Sequence, residues 1–195
     1  MLETSVTSIV HHFLKVDTVP ANKLQPGGPG YEIVYGTTGV LAYLLSLTPA
    51  NDLQATFDAI ALHEQNLVKP LLSFLTDSIQ YERGVRIVGK ATADLTRAPT
   101  ISFVVVGQRP MKSKDIVNVF DQKGGVRFWG SFPRITFQHP RQVGIRYGYF
   151  YAYTLVDDLS PKLDVDDGVV RISLVHYNTV QEVNRIIDIL KEILA

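Results

Sequence analysis

Gly168-Val-Val-Arg-Ile-Ser-Leu-Val-His-Tyr-Asn-Thr179 reads as a strand that sets one arginine among apolar neighbours and runs straight into a helix start. Alternate side chains of a strand face opposite sides. Val170, Ile172 and Leu174 therefore share an apolar face suited to a core, while Val169, Arg171, Ser173 and Val175 share the other. An arginine held by a strand is a pre-organised fork for a carboxylate or phosphate. The structural alternative is an internal salt bridge to Asp166 or Asp167.

Downstream, Thr179-Val-Gln-Glu182 has the form of a capping box, and Val183, Ile186, Ile187, Leu190 and Ile193 give the following helix an apolar face. Upstream, a long amphipathic helix begins at a cap on Asn51 or Asp52, with Leu53, Phe57, Ile60, Ala61, Leu67, Val68, Leu71, Leu72 and Leu75 at helical spacing. Pro70 predicts a kink in it. Strands are expected at 85–88 and 101–106, separated by a turn-rich segment ending at Arg97-Ala-Pro99. Ser113 caps a helix carrying Ile116, Val117, Val119 and Phe120 and closed by Gly124-Gly125. Short strands at 126–129 and 143–147 and a helix over 150–159 complete the order. The pattern predicts an α/β fold of the α+β sandwich type, a sheet covered by helices.

The opening differs. Residues 9–14 are a short apolar stretch around His11 and His12, and Gln25-Pro-Gly-Gly-Pro-Gly30 belongs to a loop that cannot be regular structure. Residues 31–47 are apolar at near-helical spacing, interrupted by Gly36-Thr-Thr-Gly39. Residues 1–49 thus look like the tail of something larger or an arm that docks on a partner, and residues 50–195 like a small α/β domain.

Composition sets outer bounds. Of 195 residues, 46% are apolar and 19% charged, ordinary for a folded domain with a sizeable core. Lys plus Arg equals Asp plus Glu, 19 against 19, which leaves no electrostatic footprint for nucleic acid or an acidic membrane surface. Cysteine is absent, which excludes disulfides, thiolate metal sites and cysteine nucleophiles. No apolar run approaches the roughly 20 residues that cross a bilayer, and the N-terminus lacks the pattern of a secretory signal. A cytoplasmic protein is the expectation.

Candidate sites have competing structural readings. The start of the helix at Thr37 and Thr38 offers amides, a positive dipole end and hydroxyls to a phosphate, or simply N-capping by Thr38. Gly144-Ile-Arg-Tyr-Gly-Tyr-Phe-Tyr-Ala152 puts Arg146 beside aromatic rings, which line a cleft or merely pack. His11, His12, His63, His139 and His176 have no metal-ligand spacing apart from the adjacent pair. No Walker loop, nucleophile elbow or dinucleotide glycine pattern occurs.

Together these segments resemble the C-terminal portion of the class V aminotransferases, the pyridoxal-phosphate enzymes that include cysteine desulfurases. The V-R-x-S-x-x-x-Y-N-T pattern of residues 170–179 is the strongest match. Arg97-x-Pro99, Gly144-Ile-Arg-x-Gly148 and Tyr31-Glu32 with Gly36-Thr37-Thr38 support it. The resemblance implies the small domain of a fold-type I transferase preceded by the end of its large domain. It implies that Arg171 binds the α-carboxylate of an amino-acid substrate and that Thr37 or Thr38 reaches the cofactor phosphate of the neighbouring subunit in a dimer. Arg146 matches the arginine of the active-site loop, and Tyr151 stands where desulfurases carry their nucleophilic cysteine. A phenol cannot take sulfur by that route.

In the family, the Schiff-base lysine and its aspartate and aromatic companions precede the part this chain resembles. Lys15 lacks the Ser-x-His-Lys context, and residues 125–142 look longer than the family pattern. The expectation is a protein inactive alone, with pyridoxal 5'-phosphate bound only in a complete protein or with a partner. A homodimer or pairing with a full-length paralogue is the expected assembly, with no nucleic acid and no membrane. The alternatives are a non-catalytic interaction module and an amino-acid sensor that uses Arg171.

Overall fold

The computed structural model describes residues 30–124, 128–129, 132–133 and 143–195. The expectations for residues 9–14, for the loop before Gly30, and for Lys15, His11, His12 and His139 lie outside these. The chain divides into two compact units at Thr56 and Phe57.

In the first unit, helices α1 (Tyr31–Gly36) and α2 (Thr38–Ser46) follow each other through Thr37, which keeps right-handed helical angles. Neither helix contains a buried residue. The third helix, α3 (Leu53–Leu75), starts on Asp52, whose carboxylate accepts a hydrogen bond from the Ala55 amide at 2.8 Å. Asn51 is instead left-handed, at φ 50°. Thr56 is fully buried, and its hydroxyl donates to the Leu44 carbonyl at 3.0 Å.

The second unit contains the sheet. Helix α4 (Ser78–Arg83) leads into β1 (Val85–Val88), β2 (Thr100–Val105), α5 (Ser113–Gly124), the short pair β3 (Phe128–Trp129) and β4 (Phe132–Pro133), β5 (Arg146–Gly148), α6 (Tyr153–Asp157), β6 (Val169–Ser173) and α7 (Val180–Ile193). Four strands pair in the order β1-β2-β6-β5, every neighbour antiparallel. Thr100 lies opposite Ser173, and Arg146 lies opposite Arg171.

The alternation read from residues 168–174 decides the packing. Val170, Ile172 and Leu174 join Ile101, Phe103 and Val105 in one buried cluster with Leu67, Leu71 and Leu75 of α3, Ile116 and Phe120 of α5, and the inner face of α7. Removing each such side chain from water contributes about 1.5–3 kcal/mol. Val169 and Val104 face the other way, onto Val156 of α6, with Phe150, Leu159 and Val165 alongside. A sheet with apolar layers on both sides is the α+β arrangement that the sequence predicts.

Several local expectations are corrected. Residues 150–159 do not form one helix, because Phe150 and Tyr151 take left-handed φ of 49° and 61° and the helix starts only at Tyr153. The strand expected at 143–147 is shifted to Arg146–Gly148. Ser113 does not cap α5. Asp167 does, accepting from the amides of Ser113 at 2.7 Å and Lys114 at 3.0 Å across a sequence gap of more than 50 residues. The Ser113 hydroxyl donates to the Gly168 carbonyl at 3.1 Å. Val119 turns outward, and α4, capped by Asp77, is an extra helix. Helix α3 continues through Pro70 to Leu75.

The capping box of α7 is present as read: the Thr179 amide donates to Glu182 Oε2 at 2.7 Å, and the Glu182 amide donates to Thr179 Oγ1 at 3.2 Å. Thr179→Ala is expected to destabilise the fold by about 1 kcal/mol in urea unfolding. Thr179→Ser should recover most of that loss.

Candidate functional site

Strand β6 is flanked by β2 and β5, so Arg171 lies between Ser102 and Arg146 in the register. Arginines directly opposite each other repel. The structure separates them by sending Arg146 away: its Nη1 donates to the Ile145 carbonyl at 3.0 Å and stands 3.9 Å from Asp121 Oδ2. Arg171 remains. Among the described residues its guanidinium makes no hydrogen bond and no ion pair. Its contact is the Phe150 ring, 3.7 Å from the guanidinium carbon to the ring centroid.

The salt-bridge alternative is thereby settled for the described residues. Asp167 is occupied at the start of α5, and the side chain of Asp166 makes no ion pair. A ring against the flat face of a guanidinium attracts the cation and leaves its in-plane N–H groups open. Those in-plane donors are the ones that match a carboxylate. Sequence reasoning gave Arg171 its strand but missed Phe150, because the contact arises from a strained turn.

That turn is held at both ends. Gly148, at φ 131°, bridges Gly168, at φ 63°. The Ala152 amide closes on the Tyr149 carbonyl at 2.8 Å. Left-handed angles at two consecutive aromatic residues cost about 1–3 kcal/mol each, and persist only where the surroundings impose them. Phe150 turns in towards Arg171 and the Val169 side of the sheet. Tyr151 points wholly into solvent, and Tyr149 sets its ring edge-on to Tyr153 at 5.9 Å.

Asp121 lies behind the edge strand with its side chain 1% exposed. Burial pushes its carboxyl above the usual range, opposed by the Ile145 amide and the Arg146 charge. A carboxyl raised in the folded state loses stability as pH climbs past its unfolded value of about 4. Asp121→Asn keeps an acceptor for the Ile145 amide and removes the buried charge. The variant should melt above the wild type at neutral pH, and the difference should close as pH falls towards about 4. A melting series with pH in which the two stay parallel would contradict this.

Thr37 and Thr38 lie in the other unit, both exposed, with hydroxyls donating to the Val34 and Tyr35 carbonyls at 2.7 Å. Thr38 therefore does not act as a side-chain N-cap. The seven lysines among the described residues are all solvent-exposed, and Lys90, Lys123, Lys162 and Lys191 are ion-paired. No group of three metal-ligating side chains occurs among the described residues. No helix there is long and apolar enough to cross a membrane.

No family model matches the chain. It is similar to the aminotransferase-like protein FGM3 of Gibberella zeae, 32% identical over 188 residues, which is 96% of this chain and 39% of that protein. It is also similar to the cysteine desulfurase-like protein ustD of Aspergillus flavus, 28% identical over 194 residues, 97% of this chain and 36% of that protein. The chain is thus a homologue, over nearly all its length, of proteins named for aminotransferases and cysteine desulfurases. It spans less than two-fifths of either relative.

Proposed function

We propose that this chain is the C-terminal, substrate-carboxylate-binding part of a pyridoxal-phosphate-dependent protein of the class V aminotransferase type. The observation that carries the reading is Arg171: a strand-borne guanidinium, backed by Phe150 and without an acid partner among the described residues. In this role Arg171 fixes the α-carboxylate and thereby orients the α-carbon of an amino acid. Thr37 and Thr38 would serve a phosphate by turning their exposed hydroxyls away from the Val34 and Tyr35 carbonyls, and Arg146 and Tyr151 lie by the turn that carries Phe150.

The residues present fit the cofactor in part. Donors for a substrate carboxylate exist on Arg171, whereas the Thr37 and Thr38 hydroxyls already donate to backbone carbonyls and each described lysine is out in solvent. When bound, the cofactor supplies the electron sink for chemistry at an amino-acid carbon. The protein's own share here is binding and orientation, and the chain is inactive by itself in this reading.

Pairing is part of the proposal. Helices α1 and α2 expose Tyr31, Ile33, Val34, Tyr35, Val40 and Leu41, each more than half accessible. Contiguous apolar surface of this kind marks an interaction face. The reading assigns it to the remainder of a complete enzyme, in a dimer or with a full-length paralogue.

The test is complementation. The chain is mixed with the N-terminal part of the Gibberella zeae relative and pyridoxal phosphate, and amino acids are added. An amino-acid-dependent change in the cofactor spectrum, lost in Arg171→Gln, is expected. A cofactor band on this chain alone, abolished by changing one lysine, would overturn the inactive reading. An amino-acid response untouched by Arg171→Gln would overturn the site.

A further inference from the structure

We propose that Asp121 is a specificity-determining residue of the Arg171 site. It acts through Arg146: by holding that guanidinium at the sheet edge, it biases the site against amino acids that carry a second carboxylate. The proposal rests on the reading of Arg171 given above and adds to it a control over the substrate side chain.

The register makes Arg146 the natural second anchor. It lies directly opposite Arg171 on the neighbouring strand. Residues so opposed share a face of the sheet, with Cβ atoms about 4.5–5.5 Å apart. Two guanidinium groups rising side by side from that face would grip the two carboxylates of a short dicarboxylic amino acid, one on each fork. The structure shows another arrangement. Strand β5 is an edge of the sheet, and α5 packs on the opposite face, where Ile116 and Phe120 meet Val170 and Ile172. Arg146 reaches round that edge: its Nη1 donates to the Ile145 carbonyl at 3.0 Å and stands 3.9 Å from Asp121 Oδ2 on α5.

Asp121 is suited to hold it there. Among the described residues it is the one buried side chain that carries a charge. Its Oδ1 accepts from the Ile145 amide at 3.4 Å, while its Oδ2 has no hydrogen bond among the described residues and faces Arg146 as its ion-pair partner. A buried carboxylate stripped of its cation is costly, so Arg146 is drawn to stay. Yet half of the Arg146 side chain is exposed, and it can swing away without opening the core. A substrate with one carboxylate needs only Arg171. A substrate with two must either pull Arg146 off Asp121 or leave its second carboxylate without a fork.

The experiment titrates the full chain with L-2-aminobutyrate and L-aspartate, which match in chain length and differ by one carboxylate. The Nε–H resonances of Arg171 and Arg146 are followed by NMR at about pH 8, above the ordinary carboxylate range. Both amino acids should move Arg171, and L-2-aminobutyrate should leave Arg146 in place. Asp121→Asn keeps an acceptor for the Ile145 amide and releases Arg146. It should raise the preference for L-aspartate over L-2-aminobutyrate about 3- to 5-fold, the worth of one exposed ion pair. Adding Arg146→Gln to Asp121→Asn should cancel that gain, which a merely structural effect of Asp121 would not do. An unchanged preference in Asp121→Asn overturns the proposal, and so does a gain that survives Arg146→Gln. Both results leave the Arg171 reading standing, because Arg171 still answers to L-2-aminobutyrate. Silence of Arg171 with both amino acids, or a response that sodium chloride reproduces, overturns the carboxylate site itself and this proposal with it.

Discussion

Gly168→Ala is expected to destabilise the protein by about 3 kcal/mol or more, far beyond an ordinary glycine substitution. A Cβ at this position would stand 2.2 Å from the Gly148 carbonyl carbon and 2.4 Å from its oxygen. Backbone, unlike the tip of a side chain, cannot swing aside. The residue also holds φ 63°, where an L side chain is strained. Separation of β5 from β6 would release the turn that carries Phe150, so the ring should leave Arg171 as stability falls. Gly89→Ala is the control, because Gly89 also has positive φ, at 93°, but its Cβ would meet nothing within 4 Å. It should cost about 1 kcal/mol from conformation alone. Urea unfolding of the two variants separates the clash from the angle. Equal losses would show that β5 yields to the added methyl group.

The glycine pair also shows what could and could not be read from the chain. Period-two alternation over residues 169–174 places each side chain on its face of the sheet, and Thr179 with Glu182 fixes the start of α7, because both signals are local and steric. The sheet partners of β6 are not local. Nothing in residues 144–152 says that Arg146 falls opposite Arg171, so a same-face pair of arginines was invisible as a pair. Asp167 beside Arg171 in sequence suggests a salt bridge, whereas the fold spends that carboxylate on the start of α5. Residues 150–159 read as one helix, but beside the Gly148 contact with Gly168 the chain takes left-handed angles at Phe150 and Tyr151. Propensity gives way there to tertiary constraint, and the residue so displaced is the one that touches Arg171. Strain of this sort concentrates where a side chain is held for a purpose.

Arg171→Gln should raise the amino-acid concentration needed for half-saturation of the complemented protein on the order of 100-fold. Each hydrogen bond to a charged group is worth about 1.5–3 kcal/mol, and a carboxylate loses two parallel ones together. Arg171→Lys should recover little, since a point charge on a flexible stem does not reproduce the fork. Phe150 acts one step back, as a positioning residue. Its ring sits 3.7 Å from the guanidinium carbon, which fixes the plane in which the donors lie. Phe150→Leu keeps apolar bulk against the Val169 side of the sheet but removes the aromatic face. It should weaken amino-acid binding about 3- to 10-fold, in line with a cation–π contribution of roughly 0.5–2 kcal/mol. The structural signature is the Arg171 Nε–H resonance, shifted upfield by the ring in the wild type and returning to the ordinary arginine position in Phe150→Leu. A Leu variant with unchanged affinity and an unshifted Arg171 signal would show that the ring only fills space, and that the guanidinium is oriented by the strand.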